Sequence, residues 1–63
     1  MTYEIATALN VTNGDVVLLD SVWRTVHAAH YAGDVNGIGV TTLEHAGGEW
    51  QGASSLPLVR VAS

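Results

Sequence analysis

Cysteine, lysine and phenylalanine are absent from this chain of 63 residues, which has a single proline. Without cysteine the chain cannot form disulfides, bind zinc through thiolates or use a thiol nucleophile. No apolar run approaches the ~20 residues of a membrane-spanning helix, and no basic, apolar leader opens the chain. We therefore expect one small domain, residues 1–63, located in the cytoplasm and without a membrane partner.

Positive charge is also scarce. Arg24 and Arg60 stand against six acidic residues, which gives a formal net charge of −4 with neutral histidines. A protein that binds nucleic-acid phosphates needs clustered cations, so we expect no nucleic-acid partner.

Charged residues of both signs make up 13% of the chain, against roughly 25% in an average globular domain. Because a small domain has proportionally more surface to cover, part of the exterior must be uncharged. Either that exterior is neutral and rich in threonine, or a partner or further copies of the chain cover part of it. We favour the second interpretation.

Nine valines, six threonines and two isoleucines dominate the composition, and β-branched side chains favour extended backbone. Asn-Gly pairs at 13–14 and 36–37 predict hairpins, because a type I′ turn needs positive φ at two successive residues. Asp20-Ser21 is a weaker third turn. Strands are predicted at residues 3–11, 15–20, 22–32, 38–44 and 58–62, with a possible short one near 49–51. Residues 3–11 would also fit a short helix, and residues 44–56 are expected to be irregular.

Two-residue turns also predict which residues face each other across the strands. The predicted pairs are Leu9 with Leu18, Val11 with Val16, Leu18 with Trp23, Val16 with Thr25, Val35 with Ile38 and Tyr31 with Thr42. The face that these pairs share is the predicted core: Ile5, Leu9, Val11, Val16, Leu18, Trp23, Tyr31, Val35, Ile38 and Val40. The reverse face is also mostly apolar, although one face of a half-buried antiparallel sheet is normally polar.

The predicted fold is all-β: a five-stranded antiparallel meander that closes into a small barrel, because closure removes exposed strand edges. A barrel has one interior, so the second apolar face would lie outside and mediate self-association. The residues predicted for that outer patch are Ala6, Ala8, Val17, Leu19, Val26 and Ala28. Alternatively, residues 44–56 fold over the patch within one chain, with Trp50 as a plug.

Candidate catalytic and metal-binding groups are few. His27 and His30 would point to opposite faces of a strand and could not share a metal, and His45 lies in no known ligand spacing. The chain has no G-x-S-x-G elbow and no phosphate-binding glycine loop with its lysine. We therefore expect no enzyme activity, no cofactor and no metal site.

The aromatic residues suggest a binding surface instead. Trp23 beside Arg24 could form a platform of the kind found at interface hot spots, although Trp23 also fits the predicted core. Trp50, in a glycine-rich stretch, either plugs one end of the barrel or contacts a partner. Trp23, Arg24 and Trp50 are therefore the predicted partner-binding residues.

Residues 13–26 have the sequence N-G-D-V-V-L-L-D-S-V-W-R-T-V, which resembles the first hairpin of SH3-like small barrels, including KOW and Tudor modules and the start of intein-like folds. Residues 40–44 and 56–61 are similar to the closing strands of such barrels, so the resemblance covers about half of the chain. It implies an SH3-like barrel, but neither the catalytic cysteine of inteins nor the basic loops of KOW modules are present. The lysine-free composition is similar to that of short accessory proteins of actinobacteria and their phages.

The predicted function is therefore a non-enzymatic interaction module that self-associates and binds a protein partner. One alternative is a nucleic-acid-associated SH3-like domain that acts through Arg24, Arg60 and the aromatic residues. Added salt would distinguish the two, because phosphate contacts weaken steeply with salt. A second alternative is a small protein that binds a ligand or a metal.

Overall fold

Six β-strands form one antiparallel sheet in the computed structural model, which describes residues 1–62. The strands are β1 (Tyr3–Thr7), β2 (Val16–Leu19), β3 (Val22–Val35), β4 (Ile38–His45), β5 (Gly48–Ala53) and β6 (Pro57–Val61). A short 3₁₀ helix, Ala8–Asn10, follows β1. The all-β prediction is confirmed, and residues 3–11 are neither one strand nor an α-helix.

The strand order across the sheet is β1-β6-β2-β3-β4-β5, so the predicted five-stranded meander holds only from β2 to β5. β6 returns to lie between β1 and β2, which leaves β1 and β5 as the two edges of a sheet that is not closed into a barrel. Much of the segment predicted to be irregular, residues 44–56, is strand β5. A tight turn at 46–47 lets that segment pair directly with β4.

Two of the three predicted turns are hairpins. Asp20 and Ser21 have φ of 50° and 68°, and Asn36 and Gly37 have φ of 52° and 80°, the positive values that a type I′ turn requires. Asn13-Gly14 also turns the chain, but it does not join two paired strands. The predicted pairing of residues 9–11 with β2 is therefore wrong, because the 3₁₀ helix ends β1 early and β1 pairs with β6.

The cross-strand pairs predicted for the second turn are confirmed: Val16 lies opposite Thr25, and Leu18 lies opposite Trp23. At the third turn Val35 pairs with Ile38, as predicted. Tyr31, however, lies opposite Thr41 rather than Thr42, because a bulge between Tyr31 and Gly33 shifts the register by one residue.

β3 is long enough to belong to two half-sheets. Its residues 22–25 pair with β2, and residues 26–35 pair with β4. We call β1, β6, β2 and residues 22–25 the first half-sheet, and residues 26–35, β4 and β5 the second half-sheet. A bulge between Val26 and Ala28 lies where the two meet, and bulges bend the strand that contains them.

The core lies on the opposite face of the sheet from the predicted one. The buried apolar cluster is Ala8, Val11, Val17, Leu19, Val26, Leu43 and Leu58, with Ala29 and Trp50 packed against it. Of the ten predicted core residues only Val11 is buried. The pairing was predicted correctly for β2 and β3, but pairing alone does not determine which side of a sheet faces inward.

The predicted self-association patch is consequently wrong as an exposed surface. Five of its residues are buried and the sixth is half-buried: Ala6, Ala8, Val17, Leu19 and Val26, with Ala28. The alternative of intramolecular cover agrees with the structure, because Trp50 of β5 packs against this cluster. Small side chains on this face let the two half-sheets approach each other closely.

Candidate functional site

The first half-sheet carries apolar side chains on the face that points away from the core. Successive residues of a strand point to opposite faces, so the neighbours of the buried residues lie together on this side. We call them the apolar face: Tyr3 and Ile5 of β1, Val59 and Val61 of β6, Val16 and Leu18 of β2, and Trp23 of β3. The strand pairing aligns them in two rows across four strands.

Several of these side chains are well exposed. Ile5 is 67% exposed, Tyr3 56% and Trp23 44%, and the other four are half-buried. Tyrosine and tryptophan side chains bury roughly 150–250 Å² each, so two half-exposed rings leave on the order of 200 Å² in water before Ile5 and the valines are added. A contiguous apolar patch of a few hundred Å² approaches the largest that soluble monomers usually expose, and such patches are often functional.

The rings of Tyr3 and Trp23 stack on each other. Their centroids are 5.4 Å apart and their planes are inclined by 28°. Since β6 and β2 lie between the strands that carry them, the two side chains lean toward each other across the apolar face. Each ring restricts the motion of the other, and ordered aromatic side chains are typical anchors of protein interfaces.

The three predicted partner-binding residues do not lie together. Trp23 belongs to the apolar face, whereas Arg24, the next residue of the strand, points to the other side and packs on Gly47. A β-carbon added at Gly47 would lie 2.7 Å from Arg24 Nη1. Trp50 faces the core, where its ring lies over Gly52. Of the predicted set, Trp23 alone lies on the apolar face.

Arg60 is engaged within the chain. Its Nε donates to Glu4 Oε1 at 2.8 Å, and its Nη1 donates to Asp15 Oδ2 at 3.1 Å and to the Asn10 carbonyl at 3.2 Å. The hydrogen bonds to Glu4 and Asp15 raise the pKa of Arg60. This guanidinium ties β6 to β1 and to the residue before β2, so it is already paired with two carboxylates.

The outer face of the second half-sheet is polar at the end near His45 and apolar at the end near the Asn36-Gly37 turn, where Val35 is 61% and Ile38 57% exposed. Glu44 of β4 lies within hydrogen-bonding reach of His30 Nε2, and Gln51 Nε2 donates to Thr42 Oγ1 at 2.9 Å. These contacts join β3, β4 and β5 on the side away from the core, where Thr42 itself is buried beneath its neighbours. We call this set, with Glu49, the polar face.

His30 and His45 make separate contacts within the chain. His30 contacts Glu44, and His45 Nδ1 accepts a hydrogen bond from the Gly47 N–H at 3.2 Å. Within residues 1–62, no group of three or more histidine and acidic side chains could hold a metal ion.

An open groove of about 450 Å³ lies between residues 9–13 and β3. His27, His30 and Tyr31 line it, together with Leu9 and residues 11–13. The Tyr31 hydroxyl donates to Asp34 Oδ1, which raises the pKa of Tyr31. Two of the titratable side chains that line the groove, Tyr31 and His30, are thus each held by a carboxylate, of Asp34 and of Glu44.

No family model, curated protein or solved structure matches the chain. The resemblance of residues 13–26 to SH3-like barrels therefore stays a prediction. Across residues 1–62, none of the helices has the length and apolar character needed to cross a membrane.

Proposed function

We propose that this chain is a small, non-enzymatic interaction module that self-associates and binds a protein partner. The observation that carries the proposal is the apolar face, with exposed Ile5 and the stacked rings of Tyr3 and Trp23. All seven of its side chains are uncharged at neutral pH. The net charge of −4 therefore lies elsewhere on the molecule and does not oppose contact between two apolar faces.

The apolar face has two ends that differ in exposure. Ile5 and Tyr3 lie on the edge strand β1 and are the more exposed, because β1 has a neighbouring strand on one side only. Trp23 lies three strands away and is less exposed. We assign the β1 end to a second copy of the chain and the Trp23 end to the protein partner.

The SH3-like assignment is part of this proposal, in the form of an open relative of those barrels. It is supported by the β2–β3 hairpin, whose pairs match those expected for residues 13–26. A protein partner is favoured over nucleic acid because Arg60 is paired with Glu4 and Asp15. The other arginine of the chain, Arg24, packs on Gly47.

Sedimentation equilibrium at micromolar concentrations tests self-association. We expect a mass of at least twice 6.6 kDa that falls on dilution. Ile5→Asp should shift the mass toward the monomer, because it places a charge at the most exposed point of the apolar face. Gln51→Asp is the matched control, since it adds the same charge to the polar face, and it should leave the mass unchanged. A monomer at every concentration would overturn the proposal.

A further inference from the structure

We infer that the second copy pairs edge to edge with β1, antiparallel and around a two-fold axis that passes beside Ile5. The inference rests on the proposed function, in that it names the surface through which the chain self-associates. Its evidence is the direction of the backbone groups of β1, the contrast with β5 and the distribution of charge along β1.

The direction of the backbone groups follows from two hydrogen bonds. The Ala62 N–H donates to the Thr2 carbonyl at 2.9 Å, and the Ala8 N–H donates to the Leu56 carbonyl at 2.9 Å. Both belong to the register that pairs Ala6 with Leu58. In an antiparallel pair, hydrogen-bonded positions alternate with positions that are not, so the even-numbered residues of β1 bond to β6. The N–H and C=O groups of Tyr3 and Ile5 consequently point outward, where no strand of residues 1–62 lies.

The side chains of β1 do not protect this edge. Natural proteins block exposed edges with lysine, proline, bulges or a covering segment. β1 has the sequence Tyr-Glu-Ile-Ala-Thr, with regular pairing to β6 along its whole length. Tyr3 and Ile5, whose backbone groups point outward, are both apolar and exposed. The edge therefore offers backbone donors and acceptors together with apolar side chains.

The opposite edge of the sheet, β5, is guarded. The Ser54 N–H donates to the Gly39 carbonyl at 2.8 Å in the register of β4 and β5. By the same alternation, Glu49 and Gln51 point their backbone groups outward. Their side chains lie on the polar face, and Glu49 is charged. Of the two edges, β1 is the one suited to pair with an uncharged apolar strand.

The distribution of charge along β1 selects the register. With the two-fold axis at Ile5, Ile5 lies opposite the partner's Ile5 and exchanges two backbone hydrogen bonds with it, while Tyr3 lies opposite the partner's Thr7. Glu4 then lies opposite the partner's Ala6, so the two carboxylates stay apart. An axis at Glu4 would set two carboxylates directly opposite each other, which destabilises a strand pair. An axis at Ala6 would require Ala8, which belongs to the 3₁₀ helix.

Pairing of this kind joins two first half-sheets into one continuous sheet. Both copies then present their apolar faces on the same side, because a strand added to a sheet in register keeps the alternation of its side chains. The resulting surface carries two Tyr3–Trp23 stacks. The two Trp23 ends of this surface are the parts that we assign to the protein partner.

Ile5→Pro tests the backbone pairing. Proline lacks the N–H, and it is tolerated on an edge strand where that N–H faces solvent, so the variant should fold with an unchanged circular dichroism spectrum. Its dissociation constant for self-association should rise by about tenfold or more, because the central hydrogen bonds of the seam are lost. Ile5→Val, which keeps the N–H and a β-branched side chain, is the matched control and should self-associate like the unchanged protein.

Ile5→Cys gives an independent test that does not depend on the folding of the proline variant. In the proposed register the two Ile5 Cα atoms would lie about 5.5 Å apart, within the range that a disulfide spans. Since the chain has no other cysteine, mild oxidation should yield a disulfide-linked dimer. Thr25→Cys, which lies on β3 away from the edge, should not cross-link.

The outcomes separate the two proposals. A protein that self-associates equally well with proline at position 5, or that cross-links at position 25 and not at position 5, would overturn the edge pairing and leave self-association intact. An unchanged protein that stays monomeric would overturn the proposed function itself.

Discussion

The two half-sheets share β3 and one core, yet their outer faces differ in character. The outer face of the first half-sheet is dominated by seven apolar side chains, with Ile5 67% exposed, and Thr25 lies at its margin opposite Val16. On the outer face of the second half-sheet, polar contacts link neighbouring strands: His30 contacts Glu44, and Gln51 contacts Thr42. The second half-sheet therefore has a water-compatible surface around these contacts, and its exposed apolar residues, Val35 and Ile38, lie at the far end beside the turn. The first has a surface that favours a further layer or a further strand.

The difference shows where the low charge content of the chain has its effect. The few charged groups are not distributed evenly over the surface, since Glu44 and Glu49 both lie on the polar face. In the first half-sheet, Glu4 and Arg60 lie side by side on the core-facing side of their strands. The apolar face is left without charge as a result.

The largest expected effect distinguishes the inner face of the sheet from the outer face. Leu19→Ala in the first half-sheet and Leu43→Ala in the second should each lower the free energy of unfolding by about 2–5 kcal/mol, because both side chains are buried. Leu18→Ala changes the neighbouring, half-buried residue of β2 and should cost about 1 kcal/mol. Denaturant unfolding measures all three. Equal losses at positions 18 and 19 would mean that the two faces of β2 are equally buried.

The next largest effect concerns a polar contact on the inner face of the second half-sheet. Thr41 of the second half-sheet and Ser54, the residue directly after β5, form a buried polar pair, with Thr41 Oγ1 and Ser54 Oγ 2.7 Å apart. Thr41→Val should lower the free energy of unfolding by about 1–3 kcal/mol, because it leaves the Ser54 hydroxyl buried without its partner. The double variant Thr41→Val with Ser54→Ala should cost less than the sum of the single variants. Additive losses in denaturant unfolding would show that the two hydroxyls do not depend on each other.

The turns and most strands were predictable because their signals are local. Asn36-Gly37 and Asp20-Ser21 lie between β-branched segments, and both form the expected hairpins. The return of β6 was not predictable, because it pairs residues such as Ala6 and Leu58 that are far apart in the sequence. No local pattern specifies such a contact.

The choice of inner face was not predictable from periodicity, because both faces of the first half-sheet are apolar. Side-chain size held a usable signal: the buried face carries Ala6 and Ala8, while the exposed face carries Tyr3 and Trp23. Trp23 was identified from its residue type. Its stacking partner Tyr3 was missed, because their contact depends on β1 lying beside β6, which only the non-local pairing determines.

A third expected effect compares the hairpin turns of the two half-sheets. Ser21 adopts φ of 68° and Gly37 φ of 80°, in a region that glycine occupies without strain and other residues occupy at a cost. Ser21→Gly should therefore raise the free energy of unfolding by about 0.5–1 kcal/mol, and Gly37→Ala should lower it by about 1 kcal/mol. A β-carbon at Gly37 would meet no atom within 4 Å, so the loss reports backbone strain alone. Thermal unfolding that moves in the same direction for both variants would contradict this.

The smallest expected effect concerns the charges on the two half-sheets. Glu49 lies directly opposite Glu44 on the polar face, and like charges in a cross-strand pair destabilise a sheet. Glu49→Gln should raise the free energy of unfolding by about 0.2–1 kcal/mol at pH 7, and added salt should reduce the gain because it screens exposed charges. In the first half-sheet Glu4 lies opposite Arg60 and accepts its hydrogen bond at 2.8 Å, so Glu4→Gln should lower the free energy of unfolding. At low salt the two variants should change the free energy of unfolding in opposite directions, and the two changes should shrink at high salt. Changes in the same direction would contradict this assignment of charges.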